Sequence, residues 1–381
     1  MTRIVEGVHQ AVWSTLGFRG AAPGRTRGLT GFVYRSLYAA TQRVGDGADA
    51  VLAEIEARLG ESEAEEAPRR ATARAILNGV MGDRLAADGN PLSIPMELHL
   101  QGQTLDLDTL STGRGMTGKI AVLIHGLCMD ERAWHVPDGD GYGDMLAGLG
   151  YTPVFVRYNS GRHTSESGRE LATLLEQLVE RWPVPVETLE VLAHSMGGLV
   201  IRGAVHYARE GGAHWPEHLD HLVFLGTPHH GAPLERAGNW VDAVLGSTRY
   251  TTPFAALGQL RSAGITDLRY GHVLDRDWKG EDRFLRTPDQ RQPLPLPEGV
   301  ACYAVAATRS AEPRRLADRI VGDGLVPVQS ALGQHEEAAL SLGFSDDAQY
   351  IAYATDHFEL LRSPAVIQQI ETWLGRDANA A

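Results

Sequence analysis

Two cysteines in 381 residues, Cys128 and Cys302, are too few for a disulfide framework or a zinc knuckle. They read as two buried thiols in a reducing compartment rather than as one bridge. Long apolar runs are missing too: no stretch reaches the roughly eighteen residues that a membrane-spanning helix needs. Near the start, Glu6 and His9 interrupt the segment where a secretory signal would be continuously apolar, so a cytoplasmic protein is expected. Positive charge is in deficit, with 35 basic against 48 acidic residues and a net charge of -13. Such a surface repels phosphate backbones and anionic headgroups, so nucleic acid is not the expected partner. No internal repeat of fixed period occurs. What remains is ordinary globular composition, 43% hydrophobic and 22% charged, in a chain long enough to bury a large core.

Residues 1–93 read as a helical N-terminal extension. Val44, Ala48, Val51, Leu52, Ile55 and Leu59 recur at helical steps, and so do Ala73, Ile76, Leu77, Val80, Met81 and Leu85. An acidic run between them (Glu61, Glu63, Glu65, Glu66) reads as a solvated turn. The two stripes suit either a helical hairpin packed on the remainder or a surface for another subunit.

From Met96 the rhythm becomes alternating, as in a half-buried hairpin over Met96–Asp108. Short apolar runs follow at 120–124, 154–156, 191–193, 222–225, 300–307 and 350–353, with helical stretches at 167–181, 197–210 and 364–373. Runs of this kind suit strands buried on both faces of a parallel sheet. The expected fold over residues 94–381 is therefore α/β, a mostly parallel, doubly wound sheet. One connection, about Gly231 to Pro297, is too long for an ordinary loop and carries Trp240, Tyr250, Phe254, Tyr270 and Trp278. It reads as an inserted cap or lid over a pocket, with an inert surface excursion as the alternative.

The chemistry concentrates at Ser195. A buried strand ending Leu-Ala-His turns at this serine directly into a helix beginning Met-Gly-Gly. A nucleophile elbow presents its hydroxyl above the sheet in this way, and so sharp a turn needs small residues two before and two after, here Ala193 and Gly197. The helix that follows aims its N-terminal amides at a developing oxyanion.

The stretches Ala193-His194-Ser195-Met196-Gly197-Gly198 and Gly226-Thr227-Pro228-His229-His230-Gly231 resemble bacterial lipases and GPI inositol-deacylase-like esterases. These form the lipase and carboxylesterase branch of the α/β-hydrolase superfamily, and the likeness spans roughly residues 95–375. The resemblance implies an α/β-hydrolase fold and a serine carboxylic-ester hydrolase that needs no cofactor. It further implies an oxyanion hole from the backbone N–H groups of Leu127, which follows His125-Gly126, and of Met196. The triad order of this fold, serine, then acid, then histidine, points to His357 as general base and to Asp323, in Asp-Gly-Leu-Val-Pro, as the orienting carboxylate.

Asp356 and Asp318 are rivals for the acid. Adjacent side chains on an extended loop point apart, which counts against Asp356 beside His357. His125 reads as a loop-ordering residue, Cys128 as packing, and His229-His230 as a polar loop near a pocket mouth rather than a metal site. The expected substrates are small-molecule or lipid-like esters with a hydrophobic acyl or alcohol part, apolar polyesters included. An amidase or acyltransferase using the same triad, and a binding module on a hydrolase scaffold, are the competing readings. Oligomeric state is not legible.

Overall fold

The computed structural model describes residues 63–111, 113, 116–136, 141–232, 261–280, 282–284, 288–312 and 322–375. The first amphipathic stripe, 44–59, lies outside them, as does much of the 231–297 connection. The chain divides into two compact units, Met1–Arg70 and Ala71–Ala381. A helix, α1, spans Glu63–Ala87 with a kink at Met81. The part of α1 in the larger unit carries the second stripe and buries Ala75, Ile76, Val80 and Leu85. A buried asparagine, Asn78, ties α1 to the chain that follows. Its amide donates to the Leu92 carbonyl at 2.8 Å and its oxygen accepts the Ile94 N–H at 2.9 Å.

An eight-stranded sheet forms the centre, in the order β2-β1-β4-β3-β5-β6-β7-β8. The strands are β1 (Glu97–Leu100), β2 (Gln103–Thr104), β3 (Lys119–Ile124), β4 (Thr152–Arg157), β5 (Thr188–His194), β6 (Leu219–Leu225), β7 (Ala301–Ala307) and β8 (Gln349–Ala352). β1 runs antiparallel to β2 and to β4, while β3 to β8 are mutually parallel. The expected hairpin is present, but its second arm is only two residues long. Gln101 and Gly102 make its turn with φ of 51° and 78°, the left-handed pair that a two-residue hairpin loop requires. One further backbone bond, from the Leu105 N–H to the Leu98 carbonyl at 2.7 Å, follows the arm.

Chain direction explains the layering. β3 connects to β4 through α2 (Tyr142–Gly148), and β4 returns past β3 to β5 through α3 (Thr164–Arg181). Right-handed crossovers stepping in opposite directions place the two helices on opposite faces of the sheet. α2 shares its face with the last helix, α7 (Pro364–Leu374). Tyr142, Met145, Leu146, Ile370 and Trp373 form one core with Leu123, Leu192, Val223 and Val305 of the strands. α3 packs against α4 (Met196–Gly211) on the other side, with Leu171, Leu175 and Leu178 of α3 fully buried. Each such leucine contributes about 1.5–3 kcal/mol by leaving water. Every residue of β5 is buried, so this strand is the rigid axis of the sheet. Among the described residues no helix is long and apolar enough to cross a membrane.

The reversal of direction between β3 and β5 leaves a crevice outside their carboxyl ends, where open α/β sheets place ligands.

Candidate active site

β5 ends at His194 and α4 begins at Met196, so Ser195 alone makes the turn. Its backbone sits at φ 53°, ψ -123°, a strained conformation for a residue with a side chain. Two hydrogen bonds over-determine it. The Ser195 N–H donates to the Leu225 carbonyl at 2.8 Å, and the Gly198 N–H donates to the Ser195 carbonyl at 3.0 Å. Gly197 must be a glycine for reasons of space, since a Cβ there would lie 2.7 Å from the carbonyl oxygens of both Ile124 and His125. The hydroxyl therefore stands at the positive end of a sixteen-residue helix.

Two loops from later strands converge on it. His357, after β8, places Nε2 2.9 Å from Ser195 Oγ, across 162 residues of sequence. Its Nδ1 lies 2.6 Å from Oδ2 of Asp323, on the loop after β7. An ionised carboxylate only accepts, so Nδ1 carries the ring proton and Nε2 turns its lone pair to the serine. Asp323 is itself held. Its Oδ1 accepts the backbone N–H groups of Leu325 at 2.9 Å and Val326 at 2.7 Å. The two loops are laced by the Ala354 N–H to the Ser310 carbonyl and the Thr355 N–H to the Thr308 carbonyl. All three side chains are almost fully buried, at 1%, 1% and 2% exposure for Ser195, Asp323 and His357.

The loop after β3 closes the third side. A Cβ on Gly126 would come within 2.9 Å of Ser195 Cβ, so this backbone passes directly against Ser195. Leu127 and Met196 are both buried beside it. His125 orders the loop. Its ring stacks on Tyr158 with centroids 4.4 Å apart, Nε2 accepts the Tyr158 N–H, and Nδ1 donates to the Gly126 carbonyl at 2.8 Å. Burial pushes its pKa below the usual imidazole range, so the ring is neutral and structural.

Residues 170–292 match the PGAP1-like alpha/beta domain family. No curated protein matches the chain. Among solved structures, the mature lipase BlEst2 of Bacillus licheniformis is 17% identical with a TM-score of 0.42, covering 67% of this chain and 91% of its own. The esterase Pf2001 of Pyrococcus furiosus is 13% identical with a TM-score of 0.40, covering 70% and 82%. The RedJ thioesterase of Streptomyces coelicolor is 17% identical with a TM-score of 0.38, covering 71% and 91%. The sheet order, with a serine turn off its central parallel strand, decides the architecture. This is the α/β-hydrolase fold.

Within this fold the remaining residues singled out by sequence separate cleanly. Asp356 does not face the imidazole of its neighbour. Its Oδ1 accepts the N–H groups of Phe358 and Glu359, both at 2.9 Å, and so shapes the loop of His357. Asp318 lies outside the described residues. Cys128 is buried and its thiol is pushed up to about 12, which leaves no thiolate at neutral pH; Cys302 shares that shift.

His229 and His230 depart from the expectation of a polar loop at a pocket mouth. Both are buried, at 0% and 8% exposure. The strap at 288–297 covers them: Arg291 donates to the His229 carbonyl at 2.7 Å and meets His230 Nδ1 at 2.8 Å. Arg202, buried on α4, reaches the Leu294 carbonyl of the same strap at 2.5 Å. Desolvation beside two guanidinium groups holds the His229 pKa well below the usual range and that of His230 at about 3, so neither ring is charged. Among the described residues no group of three or more His, Cys, Asp or Glu side chains is placed to hold a metal ion.

The backbone cradle of Asp323 was missed in the sequence. Gly322 and Gly324, with φ of 51° and 98°, were its visible sign.

Proposed function

We propose that this chain is a serine hydrolase that cleaves carboxylic esters through an acyl-enzyme on Ser195. The observation that carries the reading is the unbroken hydrogen-bonded line from Asp323 through His357 to Ser195, ending on a hydroxyl in a strained turn. In the cycle, His357 Nε2 takes the Ser195 proton while Oγ attacks the ester carbonyl. The backbone N–H groups of Leu127 and Met196 receive the oxyanion, an interaction typically worth about a hundred- to a thousand-fold in rate per donor. Asp323 steadies the imidazolium. The tetrahedral adduct collapses as the imidazolium returns its proton to the leaving alcohol. Water, deprotonated by the same nitrogen, then attacks the acyl carbon and frees the acid and Ser195.

Substrates are esters with a hydrophobic acyl or alcohol part, bound beside residues 261–280 of the long connection after β6. Support comes from the described limb of that segment. Its short helix α5 (Ala263–Asp267) brings Gly264 so close to Met196 that a Cβ would lie 2.9 Å from Met196 Cε. Asp267 anchors the limb by accepting the Thr164 N–H at 2.8 Å and meeting His163 Nδ1 at 3.0 Å, while Trp278 stacks on His163 at 3.5 Å.

A series of p-nitrophenyl esters of graded acyl length, with Ser195→Ala as blank, tests both statements. Turnover lost in the variant and extending to medium and long acyl chains is expected. A strict acetate preference refutes the apolar substrate class, and failure of Ser195 to react with a fluorophosphonate refutes the nucleophile.

A further inference from the structure

His194 stands between the sheet and the nucleophile, and the catalytic cycle above gives it no role. It is fully buried at the end of β5. Its Nε2 lies 3.1 Å from the backbone carbonyl oxygen of His357. A carbonyl only accepts, so Nε2 carries the proton and Nδ1 is left with a lone pair. That Nδ1 has no hydrogen-bond partner and faces Gly126, where a Cβ would come within 3.0 Å of it. One ring thus touches three parts of the site: it precedes Ser195, bonds the loop of the base, and lies against the loop after β3. Trp134 closes a fourth side edge-on, with centroids 6.5 Å apart.

We infer that His194 is a positioning residue, whose Nε2–H bond to the His357 carbonyl fixes the backbone that aims the imidazole at Ser195. This rests on reading His357 as the general base. Asp323 sets the tilt of the His357 ring, but a ring can be aimed only from a main chain that is itself fixed. Residues 354–358 contain no regular element, and Ala354 sits at φ 48°; Ala354 and Thr355 are tied to Ser310 and Thr308, and His194 extends the tie to the carbonyl of His357 itself. A displacement of about 1 Å at a reacting atom costs on the order of a hundredfold.

A histidine suits this place because it is also kept neutral. The rings of His194 and His357 lie 4.8 Å apart. A charged His194 would oppose the imidazolium that His357 becomes during the cycle. Burial, then the repulsion of His357 and of His125, hold the His194 pKa well below the usual range. These two histidines are the titratable groups that shift it by charge.

The test uses His194→Leu and His194→Gln in the full chain, with kcat, KM and the pH profile of kcat/KM on one p-nitrophenyl ester. A glutamine amide reproduces the Nε2–H donor; leucine does not. The leucine variant is expected to lose about ten- to a hundredfold in kcat with KM little changed, and to displace the acidic limb of the profile. The glutamine variant is expected to recover most of the loss and the wild-type limb. A glutamine variant as impaired as the leucine one, or a leucine variant with wild-type kcat and profile, overturns the inference. Should the leucine variant fail to fold, ring-15N spectra of the wild type between about pH 5 and 9 decide. A neutral, Nε2-protonated His194 throughout supports the inference, and an Nδ1-protonated or titrating ring overturns it. Fluorophosphonate labelling of the wild type at Ser195 separates the two levels. Labelling with an undisturbed leucine variant sinks only the role of His194, whereas absence of labelling sinks the nucleophile itself.

Discussion

The sheet buries a carboxylate against a histidine at both of its ends, and the two pairs differ in everything except that contact. At the carboxyl ends of the strands, Asp323 meets His357 at 2.6 Å. Towards the amino ends, Glu190 of β5 meets His221 Nδ1 of β6 at 2.8 Å. Burial is equally complete, at 1% exposure for each carboxylate. The second pair sits in paired strand backbone, just after a register shift between Leu189 and Glu190, and is sealed by Tyr151, whose hydroxyl donates to Glu190 at 3.0 Å, and by Thr188 at 3.1 Å. His221 stacks on Tyr303, which stacks in turn on Trp373 of α7. No nucleophile in a strained turn ends this line. The first pair continues by a hydrogen bond to Ser195, whose backbone is strained. A buried acid-histidine contact therefore does not mark a catalytic site by itself. The third group, and the backbone that presents it, make the difference.

The largest expected effect breaks the carboxyl-end line at its tip. Ser195→Ala is expected to lower kcat on an ester substrate by on the order of a millionfold while leaving the thermal unfolding midpoint nearly unchanged. Steady-state turnover and a melting curve on one preparation check it. Next comes Asp323→Asn, which keeps the shape but turns the imidazole to the wrong tautomer. A loss of about ten-thousand-fold in kcat is expected. A loss under tenfold would assign the orienting carboxylate elsewhere.

The amino-end pair is expected to respond in stability, not turnover. Burial raises the Glu190 pKa above the ordinary carboxylate range, and the hydrogen bond from His221 only partly opposes this. A folded-state pKa above the unfolded one means that the folded chain holds the proton more tightly. The stabilisation from Glu190 is then complete below the ordinary carboxylate range and is lost as pH rises through the raised value. Glu190→Gln removes that dependence. Its unfolding free energy relative to wild type is expected to climb as pH rises above the ordinary carboxylate range, with a slope of at most about 1.4 kcal/mol per pH unit, while kcat per folded molecule stays within about twofold. A variant with wild-type stability slope but depressed kcat would erase the contrast between the two ends.

The sequence made the first end legible and the second invisible, for one physical reason. Apolar runs such as 120–124 and 191–193 declare strands buried on both faces, and a serine between strand and helix declares its own turn. Strand ends moved by one to three residues, because pairing continues past the last apolar side chain, as at Thr152 and Thr188. Ser195, Asp323 and His357 could be read together because they follow β5, β7 and β8, in a fixed order along the chain. Glu190 and His221 each looked like a lone polar residue in an apolar strand, since only the register of β5 against β6 sets them face to face. The burial of His229 and His230 was hidden likewise. It depends on Arg291 and Leu294 folding back from 60 and more residues away, and no local pattern encodes that return.

The smallest effect sharpens the contrast within the site itself. Asp323 and Asp356 lie on the two loops that meet at His357, and sequence position alone favours the adjacent one. Asp356 spends its Oδ1 on the N–H groups of Phe358 and Glu359, while its own N–H donates to Glu359 Oε2 at 2.8 Å. That is the work of a side chain folding its own loop ahead of Glu359–Leu361, not of an imidazole partner. Asp356→Asn retains a side-chain oxygen able to accept the same two N–H groups and loses only the charge. A cost of about 1 kcal/mol or less in stability is expected, with kcat changed by no more than about threefold and the acidic limb of the pH profile unmoved. A loss comparable to that of Asp323→Asn, measured on the same ester, would mean that both carboxylates act on the base.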